Sequence, residues 1–365
     1  MEWSKLAHAF QRDSPEMSEV NEAIVDVLII GAGPAGLHAA CTAQDLGLSH
    51  RIIDRRGLAH SFVDYPQCLR FFSPPDEMEV GGVPLPMRGG EKPTREDILP
   101  YFRAVARTRY LDLALWEAIT NVQREDDAFT VTTMSVPNGE RTHQHRGRTL
   151  VLATGVWDIP NHLTCPGGDL PHVHSRFYDP TEYFGQDVLV VGGGNSAVHA
   201  ALSLAEARAR VNYAMRRPPV AYQSHLRPFV VRDLELAVAD KRLTLITGVR
   251  VARIEPDVAW LQPAEYGDSE TDIQASGEPY AVPARFVFAL LGQHGDPSLF
   301  RTLGLCIEPD GRPARNPDTF ETNIPNVFVA GSLAGSKIDI ILTGRAQAAG
   351  VVRRIAERLK VTEPG

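Results

Sequence analysis

Two short glycine-rich stretches hold the residues in this chain best suited to chemistry. The first, Gly31-Ala32-Gly33-Pro34-Ala35-Gly36, follows the apolar run Ile24 to Ile30 and leads into a helix-forming stretch from Leu37 to Leu46. The next strand-like run, His50 to Ile53, ends in Asp54. Strand, glycine turn, helix and second strand make a βαβ unit, and each glycine of G-x-G-x-x-G has its own task. The first permits a tight turn, the second lets backbone approach a pyrophosphate, and the third lets helix pack on strand. The anion then rests at a helix N-terminus, where unpaired N–H groups and the helix dipole favour negative charge. Asp54 stands 23 residues after Gly31, where a carboxylate can accept hydrogen bonds from a ribose diol.

The second stretch repeats the design. Asp187 to Val191 runs into Gly192-Gly193-Gly194-Asn195-Ser196-Ala197, then a helix from Val198 to Ala207 and a strand from Arg210 to Met215. Ala197 takes the place of the third glycine, a tolerated variant. The acidic residue expected after the second strand is missing, and Arg216-Arg217 stand there instead. A guanidinium pair suits the 2′-phosphate of NADPH through charge-assisted bonds, whereas two solvated surface arginines are the plainer alternative. One such loop alone is weak evidence, because glycine turns also end strands for purely structural reasons. Two loops in full βαβ context are much stronger.

The elements that must position these loops come from the whole chain. Thr149 to Gly155 is an apolar strand ending in a small-residue turn, followed by Asp158-Ile159-Pro160 as a crossover between domains. Phe286 to Gly292 repeats that pattern as the return crossover. A buried strand within Thr322 to Gly331 then leads through Ser332 to a helix from about 340 to 359. The expected fold is α/β, with two Rossmann-like dinucleotide-binding domains and the second inserted into the first. The boundaries are a loose extension at 1–21, the first part of the outer domain at 22–158, the inserted domain at 159–292 and the return at 293–365.

Composition narrows the setting. The formal charge of -8 argues against nucleic acid or an anionic membrane as the main partner. Met1 to Asn21 lacks the continuous apolar core of a signal peptide, and no apolar run approaches membrane-spanning length, so a cytoplasmic protein is expected. The four cysteines, Cys41, Cys68, Cys165 and Cys306, are far apart with no C-x-x-C pair. That spacing excludes a zinc knuckle, points to no metal, and removes any adjacent redox dithiol.

Taken together, the two loops, the paired crossovers and the Ala330-Gly331 strand end resemble the two-dinucleotide-binding-domain flavoproteins related to thioredoxin reductase. Within that group the chain is most similar to the bacillithiol-disulfide reductase (YpdA-type) family, from about residue 24 to 355. The stretches that carry this are Tyr65-Pro66-Gln67-Cys68, Phe71-Phe72-Ser73, Val83-Pro84, Gly193 to Ala197, Phe288-Ala289-Leu290-Leu291-Gly292 and Glu321-Thr322-Asn323-Ile324. The resemblance implies an enzyme holding FAD at the first loop, with Gly155, Gly331 and Ser332 beside it, and using NADPH at the second loop to reduce a small-molecule disulfide. Two positions depart from the family pattern: Ala35 stands where a cysteine is common, and Ser332 where many relatives carry an Asp that bonds the ribityl chain.

With Ala35 unable to act, the resemblance leaves Cys68 as the catalytic thiol candidate, with Arg70 able to favour its thiolate. A single loop cysteine is more often a packed residue. Cys41 reads as core, and Leu305-Cys306-Ile307 as strand-like. His172, His174 and His225 have the right chemistry for proton delivery, although structural histidines are commoner. Arg227 and Lys337 could meet substrate carboxylates. Other outcomes are a ferredoxin-NADP reductase-like or flavin monooxygenase-like enzyme, or a dinucleotide-binding redox sensor without turnover. The sequence leaves a homo-oligomer open.

Overall fold

A computed structural model describes residues 23–67, 69–125, 127–217, 226–266, 273–335 and 340–359. Among the positions singled out above, the extension 1–21, Cys68, His225 and Lys337 lie outside the described residues.

The chain opens with strand β1 (Ile24–Ile30), helix α1 (Pro34–Asp45) and strand β2 (His50–Asp54). Helix α2 (Arg95–Thr108) and strands β3 (Leu113–Leu115), β4 (Glu117–Arg124), β5 (Phe129–Ser135) and β6 (Thr142–Leu152) follow. β1 lies between β2 and β6, parallel to both, with Ile29 opposite Ile52 on one side and Val151 on the other. Val27, Leu28, Ile29 and Ile30 are all buried, because a parallel strand covered on both faces has no solvent side. Each of these side chains contributes about 1.5–3 kcal/mol by burial. β5 pairs antiparallel with β6 and β4 antiparallel with β5, an extension of the sheet that the sequence reading does not contain.

The second set of elements comprises strand β7 (Val173–His174), strand β8 (Asp187–Val191), helix α3 (Asn195–Glu206), strand β9 (Arg210–Met215), helix α4 (Pro228–Ala239) and strand β10 (Leu243–Thr247). Strands β11 (Val249–Glu255), β12 (Val258–Tyr266), β13 (Ile273–Ala275), β14 (Tyr280–Pro283) and β15 (Phe286–Ala289) complete it. A parallel sheet runs β10-β9-β8-β15-β7, and β11 to β14 form a small antiparallel sheet. Leu189, Val191, Val249, Leu261, Val282 and Val287 share one core between these two sheets. The crossover stretches pair with each other, Pro160 opposite Gln293 and Ile159 opposite His294.

The chain then returns to the first sheet. Strand β16 (Val327–Val329) pairs parallel with the second half of β6, and a 3-10 turn at Gly331–Ala334 precedes helix α5 (Ile340–Arg358), which packs on α1. Contacts group residues 23–63, 69–156 and 295–359 into one compact unit, and 64–67 with 157–294 into another. The strip Asp64–Gln67 therefore sits with the second unit, where the sequence division at 158 has it in the first. Its bonds explain this: Asp64 pairs with Arg176, Tyr65 packs edge-on against Trp157 at 5.0 Å, and Gln67 N–H donates to Tyr178 O at 2.9 Å.

Candidate functional site

In the first unit, the glycine loop is wedged between three strands. Gly31 (φ +113°) donates its N–H to Ile53 O at 2.8 Å, and a Cβ there would run into the Ala153 carbonyl just beyond β6. A Cβ on Gly36 would strike the Gly31 carbonyl oxygen, so the third glycine is required by the closeness of helix and turn. At Gly33 the same test meets nothing within 4 Å. Gly33 is also the N-cap of α1, with no side chain capping the helix and Pro34 in its first turn. The loop thus has a rigid inner side and one open point at the start of a helix, the shape that admits a pyrophosphate.

Asp54 closes the unit. Its Oδ2 accepts the Ala32 N–H at 2.7 Å and its Oδ1 accepts the Arg56 N–H at 2.8 Å. Burial pushes its carboxyl up from the ordinary value, against those two N–H bonds. Each oxygen keeps acceptor capacity for a ribose hydroxyl. Gly155 and Ser332 meet in the same unit, with Ser332 Oγ 3.4 Å from where a Gly155 Cβ would stand. The Ala35 Cβ lies 2.7 Å from a Cβ position on Gly331 and 3.9 Å from one on Gly344, so small residues on the 3-10 turn and α5 let that face close on the loop. These features fit a bound dinucleotide whose pyrophosphate lies at Gly33 and whose ribose meets Asp54.

The second unit rebuilds the loop with different partners. Gly192 donates its N–H to Ala214 O at 3.1 Å, and a Cβ on it would run into Leu290 O, just after β15. Gly194 has nothing within 4 Å of its Cβ position and is the uncapped N-cap of α3. Ala197 is fully buried, showing that this helix stands far enough from the turn to carry a methyl group. Arg217 Nη1 lies 3.2 Å from the Cβ position of Gly193, which puts a guanidinium beside the loop. Arg216 is exposed and Arg217 half-buried. Ser196 is exposed at the helix start, while Asn195 spends its Oδ1 on the Arg227 N–H at 3.2 Å, tying α3 to the start of α4. The donors and the positive charge fit a phosphorylated dinucleotide.

Other positions behave differently from the reading of the sequence. His174 stands on β7 among the rings of Tyr183, Phe286 and Phe288, and burial lowers its pKa, so it is a packed ring and no ready acid. Leu305 to Ile307 forms no strand; only Ile307 makes an isolated bridge, to Pro313. Cys41 is buried, and desolvation pushes its thiol up to about 11. Burial also raises Cys165. Two histidines at matching places on the two loop helices were not singled out. His38 and His199 each follow the first loop glycine by seven residues. His38 Nδ1 accepts the Gly81 N–H at 3.1 Å, and burial followed by the nearby Arg345 lowers its pKa to about 4. His199 Nδ1 is buried with no hydrogen-bond partner among the described residues, and burial lowers its pKa.

The model of the pyridine nucleotide-disulphide oxidoreductase family matches residues 28–331. The chain belongs to that family. Bacilliredoxin reductase Bdr of Bacillus subtilis is 30% identical over 339 residues, covering 91% of this chain and 97% of its own. The solved bacillithiol disulfide reductase Bdr (YpdA) from Bacillus cereus superposes with a TM-score of 0.82 at 30% identity, covering 92% of this chain and 100% of that one. A ferredoxin–NADP reductase of Thermus thermophilus is 28% identical over 335 residues, 89% of this chain and 90% of its own. This family member is accordingly an oxidoreductase of the two-dinucleotide flavoprotein fold, with FAD and NADPH as cofactors. No helix among the described residues is long and apolar enough to cross a membrane, and no cluster of His, Cys, Asp or Glu among them could hold a metal ion.

Proposed function

We propose that this protein oxidises NADPH and reduces a low-molecular-weight thiol disulfide, with bacillithiol disulfide as the substrate. The observation that carries the substrate is the likeness to the Bacillus reductases over nine-tenths or more of both chains. In this reading Gly31, Gly33, Pro34, Ala35, Gly36 and Asp54 hold FAD, with Gly155, Gly331 and Ser332 beside it. Gly192, Gly194, Asn195, Ser196, Ala197, Arg216 and Arg217 hold NADPH.

FAD, when bound, would supply the two-electron chemistry that couples oxidation of NADPH to reduction of a disulfide. The chain's own part is to bind and orient. Gly33 and Gly194 leave room for the two pyrophosphates, Asp54 takes a ribose diol, and Arg216 and Arg217 neutralise a 2′-phosphate. A thiolate that attacks a disulfide forms a mixed disulfide and releases one thiolate, and the electron pair drawn from NADPH would then release the second and restore the cysteine thiolate. We assign that role to Cys68, since burial raises the thiols of Cys41 and Cys165 and so disfavours their thiolates. Free thiols at Cys41, Cys165 and Cys306 suit a reducing compartment, and we place the protein in the cytoplasm.

An acceptor panel tests the reading. Purified holoenzyme with NADPH is offered bacillithiol disulfide, other small disulfides, ferredoxin and oxygen in turn. Sustained NADPH oxidation is expected with bacillithiol disulfide, and Cys68→Ser should lose most of it while its flavin is still reduced by NADPH. Rapid turnover with ferredoxin and none with any disulfide would assign the chain to the ferredoxin reductases instead.

A further inference from the structure

The two loops differ at their second position, and the difference follows the residue at the end of the neighbouring strand. In the first loop that position is Ala32, whose N–H is taken by the Asp54 carboxylate at 2.7 Å. A carboxylate is small and accepts hydrogen bonds, so it reaches the loop backbone from the strand end and leaves the Ala32 methyl group undisturbed. In the second loop the strand ends in arginines, and a guanidinium has only donors. It cannot take a backbone N–H. Arg217 instead lies beside the loop, its Nη1 3.2 Å from the point a Cβ on residue 193 would occupy. That separation is tighter than ordinary van der Waals contact, so a methyl group there would shift the guanidinium by a few tenths of an ångström. The backbone of Gly193 is not in the left-handed region that favours glycine, so its own conformation does not demand one.

We infer that Gly193 is a specificity-determining residue: its missing side chain seats the Arg217 guanidinium beside the loop, and thereby sets the preference for the 2′-phosphorylated nicotinamide nucleotide. This rests on the assignment of Arg217 to the 2′-phosphate made above. Gly193 acts through Arg217 and is a positioning residue.

Equilibrium binding of NADP+ and NAD+, measured by titration calorimetry on the holoenzyme, separates the possibilities without relying on turnover. Four proteins are compared: wild type, Gly193→Ala, Arg217→Ala and the double variant, each checked for full flavin content. Gly193→Ala should weaken NADP+ about five- to tenfold and change NAD+ less than twofold. In the Arg217→Ala background the same substitution should change neither ligand, because the group it displaces has gone. Gly193→Ser serves as a second probe and should match Gly193→Ala. Equal weakening of both nucleotides, an effect that persists without Arg217, or no effect at all would each overturn the inference. If wild type binds NAD+ as tightly as NADP+, the 2′-phosphate assignment itself fails.

Discussion

The two glycine loops are built on one plan and diverge where ligand charge is decided. Both begin with a glycine pinned under a crossover carbonyl, Ala153 in one and Leu290 in the other, and both open at an uncapped helix start, Gly33 or Gly194. They part at the strand end: a carboxylate bonded to the loop in the first, a guanidinium beside it in the second. Geometry common to both serves the pyrophosphate, which every dinucleotide carries. In the proposed reading the difference serves the ribose, whose substituent distinguishes one dinucleotide from another.

The largest effect should come from separating the packing glycines from the open ones. Gly36→Ala puts a methyl group into the Gly31 carbonyl and should destabilise the protein by at least about 3 kcal/mol. A Cβ on Gly33 meets no atom of the described residues within 4 Å, so Gly33→Val apoprotein should melt within a few degrees of wild type yet retain no FAD. Thermal melts with flavin content measure both. Loss of folding in Gly33→Val would break the distinction.

A smaller effect is expected at the strand ends. Arg216→Ala with Arg217→Ala should raise KM for NADPH about ten- to a hundredfold, as for the loss of a charged hydrogen bond of about 1.5–3 kcal/mol, and leave NADH nearly unchanged. Asp54→Ala should lower FAD retention and spare the nucleotide preference measured on reconstituted protein. Crossed results, with Asp54 controlling the choice between NADPH and NADH, would reverse the assignment of the loops.

The smallest effects sharpen the comparison at His38 and His199. Both sit below the ordinary histidine value when folded, so the unfolded chain takes up the proton first. Their stabilising contribution is therefore complete above about pH 6.5 and falls as pH drops towards the folded value, about 4 for His38. His38→Asn keeps an acceptor for Gly81 N–H without the proton site, and should flatten the fall in Tm between pH 6.5 and 4.5. Replacing His199 by Leu removes a ring whose Nδ1 has no partner among the described residues and should cost less than His38→Leu, which leaves the Gly81 N–H unpaired at about 1–3 kcal/mol.

Much of this plan was legible because parallel strands buried on both faces read as unbroken apolar runs. Ile24–Ile30, Asp187–Val191 and Arg210–Met215 have the bounds that the sequence suggests. Helices were read as starting three residues late, since Pro34 and Asn195 look like loop until the glycine before them is seen to be the N-cap. The antiparallel strands β4, β5 and β11 mix polar with apolar residues, as in Glu117–Arg124 and Val249–Glu255, so no unbroken apolar run marks them. At the proposed site, the glycine turns and the strand-end positions of Asp54 and the arginines were legible by type and spacing. The contact of Arg217 with position 193, the second role of Asn195 in holding α4, and the attachment of Asp64–Gln67 to the second unit depend on tertiary packing, which no spacing reveals. His174 was misleading for the same reason: its ring is occupied by aromatic neighbours distant in sequence.

The division of labour between the loops is tested most directly by anaerobic stopped-flow reduction of the bound flavin, with NADPH and NADH as alternative donors. The account predicts bleaching of the yellow protein at donor concentrations at least about tenfold lower for NADPH than for NADH, the ratio expected from one charge-assisted bond. Equal concentration dependence for the two donors, or a protein that holds no flavin to bleach, would contradict it.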